Sequence, residues 1–257
     1  MSASVPRPLL SPNGVRAVWR FSVYPEAGEG GGCYAKPRVS LRPTPPGSGR
    51  DPERSARAGA ARARGKVRRY CAANRLNRLG TLTYAGDGCF EPGVIRQDLA
   101  EFFRDLRGAL GGEPFPYVWV PEWHPKGHGL HAHFVVGRYV RWRLIRDVWG
   151  HGFTHITSLS SLPVGSTSLS EARVAAKYIS KYVAKAFGDE TLSGNGRHRY
   201  DVAQGFKPEA LPLIGYTAAE VLTEASELLS ATPNNVWSSS QAENWDGPPA
   251  IWAEWGQ

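Results

Sequence analysis

Cysteine is scarce in this chain. Its 257 residues hold three, Cys33, Cys71 and Cys89, and none of them forms a CxxC pair. A sparse, odd set excludes a disulfide-stapled secreted domain and a zinc ribbon, and it fits a reducing compartment. Long hydrophobic runs are missing too, so no stretch is expected to cross a bilayer. The start, MSASVPRPLLSPNG, lacks the basic opening and apolar centre of a signal peptide. Acidic residues are in deficit, 23 against 31 Lys and Arg, for a net charge of +8 and a pI near 9.6. A phosphate-binding loop is also absent. Gly59 to Val67, GAARARGKV, has one residue too many between its glycines and Val in place of Ser or Thr. These absences predict a soluble, cytoplasmic chain without membrane association. The positive balance suits an anionic partner but does not name one.

What is present is enough for a packed core, with 41% hydrophobic and 11% aromatic residues. The 29 Gly and 20 Pro collect unevenly. Residues 1–50, including EAGEGGGCYAKPRVSLRPTPPGSGR, are expected as an irregular arm. Residues 51–77 are expected as a basic helix, opening at Asp51-Pro52-Glu53 and carrying Arg62, Arg64, Lys66, Arg68 and Arg69. Such a run is either a solvated face or one that contacts phosphates. Residues 78–230 alternate between strand and helix patterns, and the Trp-bearing tail 231–257 has no assignment.

Within 78–230, RLGTLTYA, PYVWVPEWH, LHAHFVVGRYV and GFTHITSL predict strands. Pro121 places the second of these at an edge or a bulge. VIRQDLAEFFRDLRGAL, RWRLIRDVWG, SEARVAAKYISKYVAKAF and TAAEVLTEASELL predict helices. Ser168 or Ser170 is the expected cap of the third helix and Thr217 that of the fourth. The PKGHG turn between two strands reads as a hairpin. The order predicts an α+β fold with a central antiparallel sheet flanked by helices.

Two groups of residues carry chemistry. His131-Ala132-His133 lies in a predicted strand, where residues two apart project from one face. Glu122 sits on the preceding strand, folded alongside by the turn. Two imidazoles and a carboxylate can hold a divalent ion, and with no thiolate the set suits Mg²⁺ or Mn²⁺. The alternative is two histidines with separate hydrogen-bond partners and an exposed carboxylate. His124 and His128, near the turn, are further ligand candidates. His155, on a later strand, is expected to be structural or DNA-facing rather than a ligand. The second group is Tyr178, Lys181, Tyr182 and Lys185, which fall on one stripe of a helix, while Ile179 and Val183 fall on another that can pack. An ammonium beside a phenol favours phenolate and also neutralises phosphate oxygens.

In this order, Thr81-Leu82-Thr83-Tyr84, then GLHAHFVV, then KYISKYVAK, the chain resembles the HUH superfamily of rolling-circle replication initiators. The nearer resemblance is to the two-tyrosine group of phage and plasmid Rep proteins, and it covers about residues 70–210. Ala132, between the histidines, is smaller than the usual bulky residue, but it faces away from the metal. The resemblance implies a Rep nuclease with a ferredoxin- or RRM-like core, in the cytoplasm of a bacterial host. It also implies metal-dependent, strand-specific cleavage of single-stranded origin DNA. Tyr178 or Tyr182 becomes joined to the 5′ end, a 3′-OH remains as a primer, and the reverse reaction religates the DNA. Lys181 and Lys185 stabilise charge, and His131, His133 and Glu122 hold the metal. Arg62, Arg64, Arg68, Arg69, Thr81, Thr83, Arg197 and Arg199 are the implied DNA contacts, and Tyr84 and Trp123 are either stacking or core residues. A host helicase and polymerase would be partners. Competing readings are a transposase or relaxase of the same chemistry, a zinc hydrolase of a small substrate, and a non-catalytic DNA-binding protein.

Overall fold

The computed structural model describes residues 17–35, 51–157, 166–189, 191–192 and 198–256. In chain order the elements are β1 (Val18–Tyr24), β2 (Glu29–Ala35), α1 (Pro52–Ala73), β3 (Arg78–Tyr84), α2 (Pro92–Ala109), β4 (Tyr117–Trp123), β5 (Leu130–Val136), α3 (Trp142–Trp149), β6 (Gly152–Thr157), α4 (Ser168–Gly188), β7 (Asp201–Val202), β8 (Leu211–Gly215), α5 (Ala218–Leu229), β9 (Asn235–Ser238) and β10 (Ala250–Glu254). They build two five-stranded antiparallel sheets with helices, an α+β fold as expected. The chain divides into two compact units, Gly47–Pro208 and Met1–Pro46 with Glu209–Gln257. No helix of the described residues is long and apolar enough to cross a membrane.

The larger unit holds the sheet β6-β3-β5-β4-β7. Strand alternation sorts the side chains of β5. Leu130, Ala132, Phe134 and Val136 pack with Ile95, Leu99, Phe102 and Phe103 of α2 and Ile145 and Trp149 of α3. Val135, on the opposite face, joins Ile179 and Val183 of α4 and Val67 and Tyr70 of α1. The two histidines share the face of Val135, because successive side chains alternate. Ala132 is fully buried on the α2 side, so it does face away from them. Gly80 on β3 is required by the α2-side core, since a Cβ there would run into the ring of Phe134. Pro121 pairs with Ala132 of β5. On its other side β4 meets only β7, at Val118 and Trp119, so the proline lies beyond that short ladder.

The basic helix is not a separate element. Asp51 caps it, its Oδ1 accepting from Arg54 N at 2.9 Å. Ala63, Val67, Tyr70 and Cys71 form a buried stripe that packs against α4, and the arginines alternate around it. The cap of α4 is Thr167, whose hydroxyl accepts from Ser170 N, in place of Ser168 or Ser170. Thr217 caps α5 as expected.

The smaller unit corrects three expectations. The arm expected to be irregular contains β1 and β2, which pair along their full length. EGGGCYA is a strand because side-chain-free positions are needed there; a Cβ on Gly30 would enter the Phe21 ring, and one on Gly32 would strike Arg20 O. The tail supplies β9 and β10, and β10 pairs with β2. α5, expected within the nuclease domain, packs instead on Phe21, Leu213 and Ile251 of this second sheet. Contacts between the two chain ends decide this, and no local periodicity reports them.

Candidate metal and tyrosine site

The register of β4 and β5 sets Glu122 directly opposite His131. The Nε2 atoms of His131 and His133 lie 3.1 Å apart. Glu122 Oε2 lies 3.3 Å from the first and 3.0 Å from the second. Both histidines are buried and Glu122 is nearly so. Three electron-rich atoms this close repel one another unless positive charge lies among them, so the donor set fits a divalent cation. A proton shared with Glu122 would serve in its absence. His131 Nδ1 is buried and meets no partner among the described residues, which leaves Nε2 as the working nitrogen of that ring. His133 is oriented from behind, its Nδ1 3.1 Å from Thr81 Oγ1. Such an outer contact selects the tautomer whose Nε2 can bind a metal. His124 lies at the margin, its ring 5.4 Å from that of His131.

Burial works against the ionised form of Glu122, yet hydrogen bonds from His131, His133 and Lys185 hold its carboxyl well below the usual carboxylate range. Lys185 Nζ contacts the other oxygen, Oε1, at 2.7 Å. For His133, burial pushes the imidazole pKa down and only partly yields to Glu122. A neutral imidazole is the form that binds a metal.

α4 brings the tyrosine stripe onto these histidines. The Tyr182 ring stacks on the His133 ring, with centroids 3.6 Å apart. Tyr182 OH donates to Tyr178 OH at 3.0 Å. Lys181 Nζ lies 5.8 Å from the centre of the Tyr178 ring and Lys185 Nζ 5.2 Å from that of Tyr182. Burial first, and then the Tyr178 hydroxyl, raise the pKa of Tyr182. The site therefore presents a phenol that ionises only when cationic charge is brought to it.

The other expected residues are more dispersed. Thr81 and Thr83 share the histidine face, and Thr81 is already engaged with His133. Arg62 and Arg64 are exposed on α1, whereas Arg68 and Arg69 are half-buried with contacts of their own. Arg62 and Arg199 line one groove with Lys66, His198 and Phe187, and Arg199 lies over the Phe187 ring. Arg197 lies outside the described residues. Tyr84 is a core residue, its hydroxyl donating to Asp98 at 2.6 Å and its ring edge-on to Trp149. Trp123 Nε1 donates to Thr191. Sequence reasoning missed Phe153, which the register of β6 sets, with His155, in line with the histidines. Alternation in GFTHIT puts those two on one face, but nothing local shows which.

No curated protein and no solved structure matches the chain. Residues 77–187 match the family described as Replication-associated protein ORF2/gene-II protein. The match covers less than half of the chain, yet it holds the Thr-Leu-Thr strand, Glu122, both histidines and the tyrosine stripe. On this match the segment that builds the site is one of that replication-associated protein family, consistent with a rolling-circle replication initiator.

Proposed function

We propose that the chain initiates rolling-circle replication by nicking and rejoining single-stranded origin DNA through a phosphotyrosine. What carries this reading is the stacking of Tyr182 on His133 beside the Glu122–His131–His133 cluster. It places phenols at a candidate divalent-cation site. His131, His133 and Glu122 would hold the ion, Mg²⁺ or Mn²⁺, which would polarise the scissile phosphate as a Lewis acid. The phenol oxygen of Tyr178 or Tyr182 attacks phosphorus, and the bond to the 3′ oxygen breaks. That oxygen leaves as a 3′-OH, carrying the proton given up by the phenol. One phosphodiester replaces another, so the 3′-OH can attack in reverse and reseal the strand. Lys181 and Lys185 supply positive charge that favours the phenolate and offsets charge on the phosphate oxygens. The hydroxyl pair gives one tyrosine for a first cleavage and another for a second while the first linkage persists. The free 3′-OH would prime a host polymerase behind a host helicase. A hydrolase of a small substrate would leave the tyrosine–lysine stripe without a role.

The test is incubation with origin-containing single-stranded oligonucleotide and Mn²⁺, followed by denaturing electrophoresis. An SDS-resistant adduct on the 5′ end is expected. It should vanish in His131→Ala and in Tyr178→Phe combined with Tyr182→Phe. No adduct with either strand, or an adduct that survives the double tyrosine change, overturns the proposal.

A further inference from the structure

We infer that Phe153, with His155 beside it, is the platform on which a base next to the reacting phosphate stacks. This rests on the nicking reading above. Thr83 of β3 pairs with His131 on one side and with Phe153 on the other, and Thr81 pairs likewise with His133 and His155. Directly opposed residues of neighbouring strands project from the same face. Phe153 and His155 therefore stand on the face that carries both histidines, in the same two cross-sheet rows. Two strand spacings separate Phe153 from His131, about 10 Å.

The helical cover over that face stops short of them. α4 packs over β4, β5 and β3, whereas Phe153 is 68% exposed and His155 is exposed. The packing that holds β6 lies on its other face, where Ile156 lines a pocket with Trp142 and Ile145 of α3. Folding thus does not account for a phenyl ring at position 153. Between it and the histidines the floor is formed by Thr81 and Thr83, small hydroxyl side chains that leave room for a sugar. An aromatic ring offers every base a stacking surface, so the contact is tolerant of sequence. It requires a base whose face is free, and a paired, stacked base has none. The platform therefore selects unpaired DNA next to the tyrosines, and His155 in the adjoining row is placed to meet the backbone of the same nucleotide.

The experiment is fluorescence anisotropy with a labelled mixed-sequence single-stranded oligonucleotide in EDTA, so that binding is read apart from cleavage. Phe153→Ala and Phe153→Leu are expected to weaken binding about tenfold or more, and Phe153→Tyr to restore it. Leucine keeps an apolar side chain of similar bulk without a π face, so an unfolded alanine variant does not blunt the test. Abasic substitution along the oligonucleotide should reveal one position that weakens binding to the unaltered protein and is neutral in Phe153→Leu. If Phe153→Leu binds as the unaltered protein does, or keeps the same abasic profile, the platform is refuted while adduct formation stands. If the unaltered protein neither binds single strands nor forms an adduct, the nicking reading falls and this inference with it.

Discussion

Tyr182 and His133 stack face to face, with ring centroids 3.6 Å apart and planes 20° apart. One residue comes from a helix and the other from the central strand beneath it, so the contact locks a candidate metal ligand against a candidate nucleophile. Tyr182→Phe keeps the ring and loses only the hydroxyl, and Mn²⁺ affinity is expected to stay within about twofold. Tyr182→Ala uncovers the imidazole, and about a tenfold loss of affinity is expected, in line with other outer contacts to metal ligands. Titration calorimetry checks both. Equal affinity in the alanine variant would show that stacking does not hold the ligand.

Thr81 has one hydrogen-bonding role here, its hydroxyl meeting His133 Nδ1. Thr81→Val keeps the β-branched shape that suits a strand and removes that partner. Mn²⁺ affinity should fall by about 10- to 100-fold with little change in urea midpoint. Unchanged affinity would return Thr81 to the DNA-contact role expected from its sequence.

Lys185 competes with any cation for Glu122, because its ammonium contacts Oε1. The lysine side chain is 64% exposed, so the pair is worth little in stability. Lys185→Gln should therefore tighten Mn²⁺ binding by a few-fold while slowing adduct formation. Opposite movements in calorimetry and in a cleavage time course are the signature. A parallel loss of both would make the lysine a structural support.

Tyr84 should matter to folding and not to DNA. Its hydroxyl donates to Asp98, joining β3 to α2. Tyr84→Phe removes a hydrogen bond to a charged acceptor, with an expected cost of about 1–3 kcal/mol in chemical denaturation. Affinity for single-stranded oligonucleotide should not change; a weakened affinity at unaltered stability would make it a stacking residue.

Much of the site was legible because its spacing is local. Two residues apart in a strand share a face, which paired His131 with His133. Helical spacing aligned Tyr178, Lys181, Tyr182 and Lys185. Glu122 needed one further step, the hairpin implied by PKGHG, and the observed register seats it opposite His131. The alignment of Phe153 and His155 with the histidines was not legible. Their place depends on β3 lying between β5 and β6, which is a pairing across the sequence. The role of Thr81 behind His133 depends on the pairing of β3 with β5 in the same way.

The fold divides along the same line. Length of helix, caps at Asp51 and Thr217, and the alternating face of β5 follow from near neighbours in the chain, so sequence by itself determined the α+β class and the two chemical stripes. It did not determine that the glycine-rich β2 is a strand, that α5 leaves the nuclease segment, or that the last residues complete a sheet with the first. Those outcomes rest on contacts between distant residues, such as the Phe21 ring lying where Gly30 has no side chain. Backbone pairing of that kind satisfies hydrogen bonds and buries apolar faces only once the chain has closed on itself, and only the tertiary structure could decide it.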